Sequence, residues 1–202
     1  MNITGGYMKR ICEIIASLVL LVIFSPIILI TALLVRIFLG SPVIFSQVRP
    51  GKDCKPFKLL KFRSMTNECD ENGNLLPNEM RKNRFGKLLR STSLDELPEL
   101  INIIKGEMSF VGPRPLRMEY IPRYRGDQIR RHEVKPGITG WAQINGRNDV
   151  SFTERFKMDV WYVDNRCFLL NVKILFLTFV KVLKRENIEG KTVNNQPFDG
   201  TN

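Results

Sequence analysis

Two adjacent carboxylates, Asp95 and Glu96, are the side chains of this sequence best suited to chemistry. Ser93 and Glu96 match the S-x-x-E capping box, which predicts a helix that begins at Ser93, continues through 97–104 and ends near Lys105. In the first turn of a helix, free backbone N–H groups and the helix dipole favour ionised carboxylates. Neighbouring positions point about 100° apart, so one carboxylate can face a substrate while the other holds a metal ion.

A simpler interpretation is that both acids only stabilise the start of a helix. Two features favour chemistry: the rest of the chain is strongly basic, and Arg84, Lys87 and Arg90 precede the acids. An ionised aspartate can act as a nucleophile and form a covalent acyl-phosphate. Mg²⁺ typically binds one or two carboxylates together with substrate phosphates.

Further basic side chains suit phosphate contact, because the planar fork of arginine binds phosphate in a bidentate manner. Alternation along a strand puts Lys61 and Arg63 on one face. Taken singly, each is better explained as a solvated surface charge. The other candidates are Arg114, flanked by Pro113 and Pro115, and Arg147.

The composition of the 202-residue chain points to anionic partners. Its 31 Lys and Arg against 20 Asp and Glu give a net charge of +11, which suits phosphates, nucleic acid or an anionic membrane face. The sequence has no helix-turn-helix, zinc-finger, aromatic RNA-binding, P-loop or GxGxxG motif, so we expect no nucleic-acid partner. The single histidine, His132, has no supporting motif for a metal centre or a Ser-His-Asp triad.

The N-terminal segment predicts a membrane helix. Residues 14–35 include no charged side chain over 22 positions, and a spanning helix needs about 20 apolar residues. Ser25-Pro26 divides this run, because proline breaks or kinks a helix and a serine hydroxyl can bond to the freed carbonyl. Each arm alone reaches only about 15 Å, which is one leaflet. A cleaved signal peptide fits less well, since its apolar region is shorter.

The charges that flank this run favour a re-entrant hairpin. Lys9 and Arg10 precede the run and Arg36 follows it, and the positive-inside rule places Lys and Arg on the cytoplasmic side. A hairpin keeps both flanks there, whereas a kinked spanning helix strands one of them outside. The kinked spanning helix stays the alternative.

The rest of the chain predicts an α+β fold, mainly helical with a short β-hairpin. Strands are expected at 43–48 and 57–62 around a turn at 49–53. Residues 67–83 predict an exposed loop with a short helix near its end, 120–133 are partly helical, and 135–140 form a loop. Residues 168–183 predict an amphipathic helix, either in the membrane interface or packed on the core. The tail from residue 187 is polar and loop-like.

Four stretches of this sequence, in order, resemble the signature of the bacterial sugar transferases, the monotopic polyprenyl-phosphate phosphoglycosyl transferases. They are KFRSM at 61–65, RSTSLDELPEL at 90–100, MSFVGPRP at 108–115 and KPGITGWAQINGR at 135–147. The chain looks like the small form of that family. The resemblance implies a re-entrant helix broken at Ser25-Pro26 within 1–40, a cytoplasmic catalytic domain at 41–186 that includes interfacial helices, and a tail at 187–202.

The resemblance also implies a mechanism at the inner face of a bacterial cell membrane. Asp95 would be the nucleophile that attacks the β-phosphate of a UDP-sugar and releases UMP, and undecaprenyl phosphate would take the phosphosugar from Asp95 in a second step. Glu96 would be the ligand of Mg²⁺. Residues expected to line the anionic substrate site are Lys61, Arg63, Arg90, Pro113, Arg114 and Arg147.

Three hypotheses follow for function. The first is this transferase, with an N-acetylated hexosamine or a diacetamido sugar expected by family analogy and an unmodified hexose as the alternative. The second is a non-enzymatic basic membrane anchor, which predicts that the carboxylates do not matter. The third is a membrane-tethered hydrolase of nucleotide sugars, which would use the same two carboxylates without a lipid acceptor.

Overall fold

The structure is a computed structural model, which describes residues 3–146, 150–184 and 198–200. The chain forms two compact units. The first unit comprises Met1–Ser46 and Leu60–Ile101, and the second comprises Gln47–Leu59 and Asn102–Asn202. The first unit holds Asp95 and Glu96, and the second holds the loop that contains Arg114.

Two helices open the first unit, α1 (Ile3–Ile23) and α2 (Ser25–Phe38), and they meet at a bend of 64°. Pro26 has no N–H with which to bond the Val22 carbonyl, and the Ser25 hydroxyl donates to that carbonyl instead, at 2.7 Å. The predicted break at Ser25-Pro26 is confirmed. Within the described residues, no helix by itself has the length and apolar character to cross a bilayer, but the bent pair taken together does by those two criteria.

The predicted hairpin is confirmed as β1 (Ile44–Pro50) and β2 (Pro56–Phe62), which form a two-stranded sheet. So short a connection makes the strands antiparallel. Each strand runs from one unit into the other. At the turn, the Gly51 N–H donates to the Lys55 carbonyl at 2.8 Å.

The first unit continues with α3 (Asn78–Arg81), at the end of a loop as predicted, and α4 (Arg84–Ser91). Asn83 caps α4, since its side chain accepts from the Gly86 N–H at 2.7 Å. A Cβ atom on Gly86 would lie 2.2 Å from the Ser64 carbonyl oxygen, so glycine lets α4 pack closely against the chain that follows β2. The apolar core beneath comprises Val35, Leu39, Phe62 and Leu89.

In the second unit, the predicted loop at 135–140 is wrong in part. Gly137–Thr139 form a strand, β4, that pairs in parallel with β3 (Ser109–Val111). Helix α5 (Glu99–Lys105) precedes β3, and α6 (Trp141–Asn145) follows β4. A Cβ atom on Gly137 would lie 2.1 Å from the Gly112 nitrogen. Strands of three residues are too short to show an alternating pattern in the sequence. Their pairing requires the backbones of Gly112 and Gly137 to approach closely, which a side chain on Gly137 would prevent.

The partly helical segment predicted at 120–133 is confirmed as two 3₁₀ helices, Met118–Arg123 and Gly126–His132. They pack beside α7 (Phe152–Asn165). An aromatic cluster of Tyr120, Tyr124, Phe152, Phe156 and Phe198 lies between them. Phe198 is therefore buried, although the sequence predicted a loop-like tail; 185–197 and 201–202 lie outside the described residues.

Helix α8 (Phe168–Leu183) was predicted, and it directs Asn171 and Thr178 toward the protein. The hydroxyls of Thr178 and Thr139 are 2.7 Å apart, and Tyr162 donates to Asn171 at 2.8 Å. Ile174 is fully buried. The opposite face is apolar and exposed, with side chains of Phe168, Leu169, Phe176 and Phe179 that are 62–79% accessible. One face thus packs on the core, and the other presents apolar surface.

Candidate active site

One lysine ammonium joins two carboxylates at the centre of the first unit. Lys61, near the end of β2, places its Nζ 2.6 Å from Glu96 Oε1 and 3.0 Å from Glu99 Oε1. The side chains are largely withdrawn from solvent, with exposed fractions of 18% for Lys61, 17% for Glu96 and 4% for Glu99. Such shielding strengthens the attraction relative to an exposed pair.

The backbone that carries the acids departs from the predicted helix. Ser93 lies in the left-handed region at φ 55° and its side chain caps nothing, so the predicted capping box is wrong. Leu94–Glu96 form a 3₁₀ turn, closed by bonds from Glu96 N to Ser93 O and from Leu97 N to Leu94 O. Pro98 has no N–H, so it cannot donate the backbone hydrogen bond that would continue the turn as an α-helix. Helix α5 therefore begins only at Glu99.

Asp95 occupies the middle of this 3₁₀ turn and is 7% exposed. Successive side chains point about 120° apart in a 3₁₀ helix, compared with about 100° in an α-helix. Asp95 therefore points away from Glu96, whose carboxylate faces Lys61. The turn directs the two adjacent acids differently, and the roles expected for them, one facing a substrate and the other a metal ion, stay a prediction.

Two predicted phosphate ligands of the first unit have protein partners. Arg90, in α4, donates from Nε to the Ser64 hydroxyl at 2.8 Å. Arg63 follows β2, donates from Nη1 to the Ser41 carbonyl at 2.7 Å and is only 7% exposed. Arg63 therefore has a structural contact, and its role in substrate binding stays a prediction.

The other predicted site residues belong elsewhere in the chain. Pro113 and Arg114 lie in the second unit, just after β3, with Arg114 exposed. The Pro113 carbonyl accepts from the Gly137 N–H at 3.1 Å. Arg147 lies outside the described residues.

Glu99 was not predicted as a site residue. It is 3% exposed and shares Lys61 with Glu96. Its spacing of three from Glu96 across Pro98 was a usable signal, because residues three apart lie on one side of a 3₁₀ or α-helical turn.

Whether these residues suit Mg²⁺ depends on how many ligands the protein must supply. The described part of the chain has no cluster of three or more His, Cys, Asp or Glu arranged for a metal ion. Mg²⁺ needs no such cluster when substrate phosphates and waters complete its shell. A single carboxylate such as Glu96 fits that kind of site.

His132, in the second unit, is buried. Its Nδ1 lies 3.2 Å from the Gly51 carbonyl, which can only accept, so Nδ1 holds the proton. Burial, together with the charge of Arg131, lowers the pKa of His132 to about 4. His132 is therefore a neutral histidine held on the backbone.

The family model described as bacterial sugar transferase matches residues 4–185. The chain belongs to the bacterial sugar transferase family. It is 57% identical over 90% of its length to the uncharacterized sugar transferase EpsL of Bacillus subtilis (strain 168), and it covers 90% of that protein.

Two further family members have names that state a reaction. A Klebsiella pneumoniae protein, UDP-glucose:undecaprenyl-phosphate glucose-1-phosphate transferase, is 45% identical over 86% of this chain. An Aeromonas hydrophila protein, UDP-N-acetylgalactosamine-undecaprenyl-phosphate N-acetylgalactosaminephosphotransferase, is 36% identical over 88% of it. The chain covers only 39% and 44% of the length of these two relatives.

We predict that Lys61→Met destabilises this family member by about 3–5 kcal/mol, because it leaves two shielded carboxylates without the cation that they share. Adding Glu99→Gln should restore most of the loss, since the buried carboxylate is then neutral. Lys58→Met, on the same strand but exposed, is the matched control and should change stability by less than about 0.5 kcal/mol. Unfolding in detergent measures all four proteins. If Lys61→Met unfolds at the same midpoint as wild type, the claim that Lys61 stabilises the fold by pairing with Glu96 and Glu99 is contradicted.

Proposed function

We propose that this protein transfers a phosphosugar from a UDP-sugar to polyprenyl phosphate, as the first membrane step of glycoconjugate synthesis. The observation that carries the proposal is the shielded group of Lys61, Glu96 and Glu99, next to the separately placed Asp95. It is supported by family membership and by relatives whose names state transfer to undecaprenyl phosphate.

In the proposed first step, a carboxylate oxygen of Asp95 attacks the β-phosphorus of the UDP-sugar. The bond from that phosphorus to the bridging oxygen breaks, and UMP leaves with the electron pair. The phosphosugar is then bound to Asp95 as an acyl-phosphate. In the second step, a phosphate oxygen of polyprenyl phosphate attacks the same phosphorus, the bond to Asp95 breaks, and the carboxylate is regenerated.

The neighbouring residues give Asp95 its place in this proposal. Lys61 holds the Glu96 carboxylate to one side of the turn, and the 3₁₀ geometry directs Asp95 to another side. Arg90 is held on Ser64, and the exposed Arg114 together with Arg147 is proposed to contact substrate phosphates. Lys61 and Arg63, in the first unit, and Pro113, in the second, are each proposed to support or line contacts with the anionic substrates.

Mg²⁺ is proposed as the cofactor, held by Glu96 with the substrate diphosphate. When bound, it would neutralise charge on the diphosphate as the UMP group leaves. Lys61 fixes the direction of the Glu96 carboxylate. Asp95 is then left as the carboxylate proposed to attack phosphorus.

The proposed donor is a UDP-linked N-acetylated hexosamine. The relatives named above act, by their names, on UDP-glucose and on UDP-N-acetylgalactosamine. A donor panel must therefore contain both N-acetylated and unmodified hexoses, including glucose and galactose.

We propose that the protein sits on the cytoplasmic face of the bacterial inner membrane through α1, α2 and α8. The support is exposed apolar surface: Val22 and Leu29 are 74% and 69% exposed on the helix pair, and α8 turns its apolar face outward. The bend at Ser25-Pro26 and the basic flank of Lys9 and Arg10 favour a re-entrant arrangement. A lipid-linked acceptor explains why the enzyme stays at the membrane.

We predict UMP release that depends on undecaprenyl phosphate when purified protein is incubated with Mg²⁺ and a panel of UDP-sugars. Asp95→Asn should lower turnover at least about 10³-fold, because an amide is not a nucleophile at phosphorus. Asp127→Asn, an exposed aspartate, is the matched control and should keep wild-type turnover.

Other outcomes identify the competing functions. Release of many UMP molecules per enzyme molecule without the lipid indicates a hydrolase, whereas the transferase without lipid releases at most one. No release from any donor, with membrane binding lost on removal of Lys and Arg, indicates an anchor. Equal turnover by Asp95→Asn and wild type would rule out the proposed nucleophile.

We predict that the N-terminus and the catalytic domain lie on the same side of the membrane. With the four native cysteines replaced, Lys9→Cys and Asp127→Cys should both react with an impermeant maleimide only after spheroplasts are permeabilised. Labelling of Lys9→Cys in intact spheroplasts, with Asp127→Cys protected, would instead establish a spanning helix.

A further inference from the structure

The loop of Pro113, Arg114 and Pro115 has few backbone hydrogen-bond donors. Neither proline has an N–H, so Arg114 supplies the single backbone donor of the three residues. The loop is instead held through its carbonyls. Gly137 N–H donates to the Pro113 carbonyl at 3.1 Å, and the Arg131 side chain donates from Nη2 to the Arg114 carbonyl at 2.8 Å.

Arg131 is itself fixed from three sides within the second unit. Its Nε and Nη2 donate to Asp159 Oδ2 at 3.0 and 2.8 Å, and its Nη1 donates to the Tyr124 hydroxyl at 3.1 Å. The Phe156 ring lies 5.3 Å from its Cζ. The side chains of Arg131 and Asp159 are only 1% and 3% exposed.

So complete a burial needs an explanation other than stability. Taking two charges out of water is unfavourable, and an apolar pair of similar size is often as stable. Although burial lowers the pKa of Arg131, Asp159 and Tyr124 raise it above its ordinary value, so the guanidinium stays charged. A charged, planar donor can bind Asp159 and still reach the Arg114 carbonyl, which an apolar residue cannot do.

We propose that Arg131, fixed by Asp159, is a positioning residue that holds the Arg114 backbone and so places the Arg114 guanidinium for the phosphate oxygens of a substrate. This inference rests on the proposed function. Phosphate oxygens occur in both the UDP-sugar and undecaprenyl phosphate. Arg131 acts only through Arg114 and does not itself touch either substrate.

The test compares Arg131→Lys with wild type in the full-length protein. Lysine keeps the charge beside Asp159, but its single nitrogen cannot span both acceptors. We expect a rise of about tenfold in the KM of one substrate, as for loss of one hydrogen bond to a charged group. The maximal rate should change less than about threefold. Arg130→Lys, the same substitution on a surface residue paired with Asp164 and Glu133, should change neither.

A double-mutant cycle shows whether Arg131 acts through Arg114. Arg114→Ala alone should raise the same KM, and adding Arg131→Lys to it should have no further effect. A rise in the KM of the UDP-sugar assigns the phosphate to the donor, and a rise in that of undecaprenyl phosphate assigns it to the acceptor. Effects that multiply in the cycle, or unchanged KM values for both substrates, would overturn the proposal.

Two safeguards keep the test decisive. If Arg131→Lys unfolds at a lower temperature than wild type, its KM is not interpretable, and the double variant Arg131→Met with Asp159→Leu replaces it. Removing both charges leaves neither buried without a partner. The same rise in KM is expected, and its absence overturns the proposal. Failure of the proposed function is separately visible as wild-type protein that releases no UMP.

Discussion

The candidate site depends on one ammonium group that is shared by two carboxylates. Lys61 links the end of β2 to the segment that carries Glu96 and Glu99. In a shielded place, two carboxylates without this cation would repel each other and would favour protonation of one of them. Lys61 fixes the direction of the Glu96 carboxylate, and the adjacent Asp95 projects to another side of the 3₁₀ turn because successive side chains of such a turn point about 120° apart. The division of labour proposed for the two acids depends on this geometry.

Much of the local structure was predictable because it depends on neighbouring residues. Two short strand-like stretches on either side of a polar turn predicted the hairpin, and Pro26 predicted the break between α1 and α2, where the Ser25 hydroxyl replaces the missing donor. The stretch from 168 to 183 predicted a helix with one polar side. Its orientation needed the structure, since only the packed partners, such as Thr139 for Thr178, show that the polar side faces inward.

Features set by distant contacts or by backbone geometry were not predictable. The capping box at Ser93 failed because Ser93 adopts a left-handed conformation and Pro98 prevents a continuous helix. The β3–β4 pair joins residues far apart in sequence through glycines that leave no pattern. The sequence pointed to Asp95, Glu96 and Lys61 as separate candidates. Glu99, although its spacing from Glu96 was a usable signal, was identified through its contact with Lys61.

The most direct measurement is the mass of the peptide that contains Asp95. The purified protein would be incubated with Mg²⁺ and an accepted UDP-sugar, without lipid, then acid-quenched and digested. We predict a mass increase equal to one phosphosugar on Asp95, absent from Asp95→Asn and lost when undecaprenyl phosphate is added before the quench. UMP release without this adduct, or the same adduct on Asp95→Asn, would contradict Asp95 as the nucleophile.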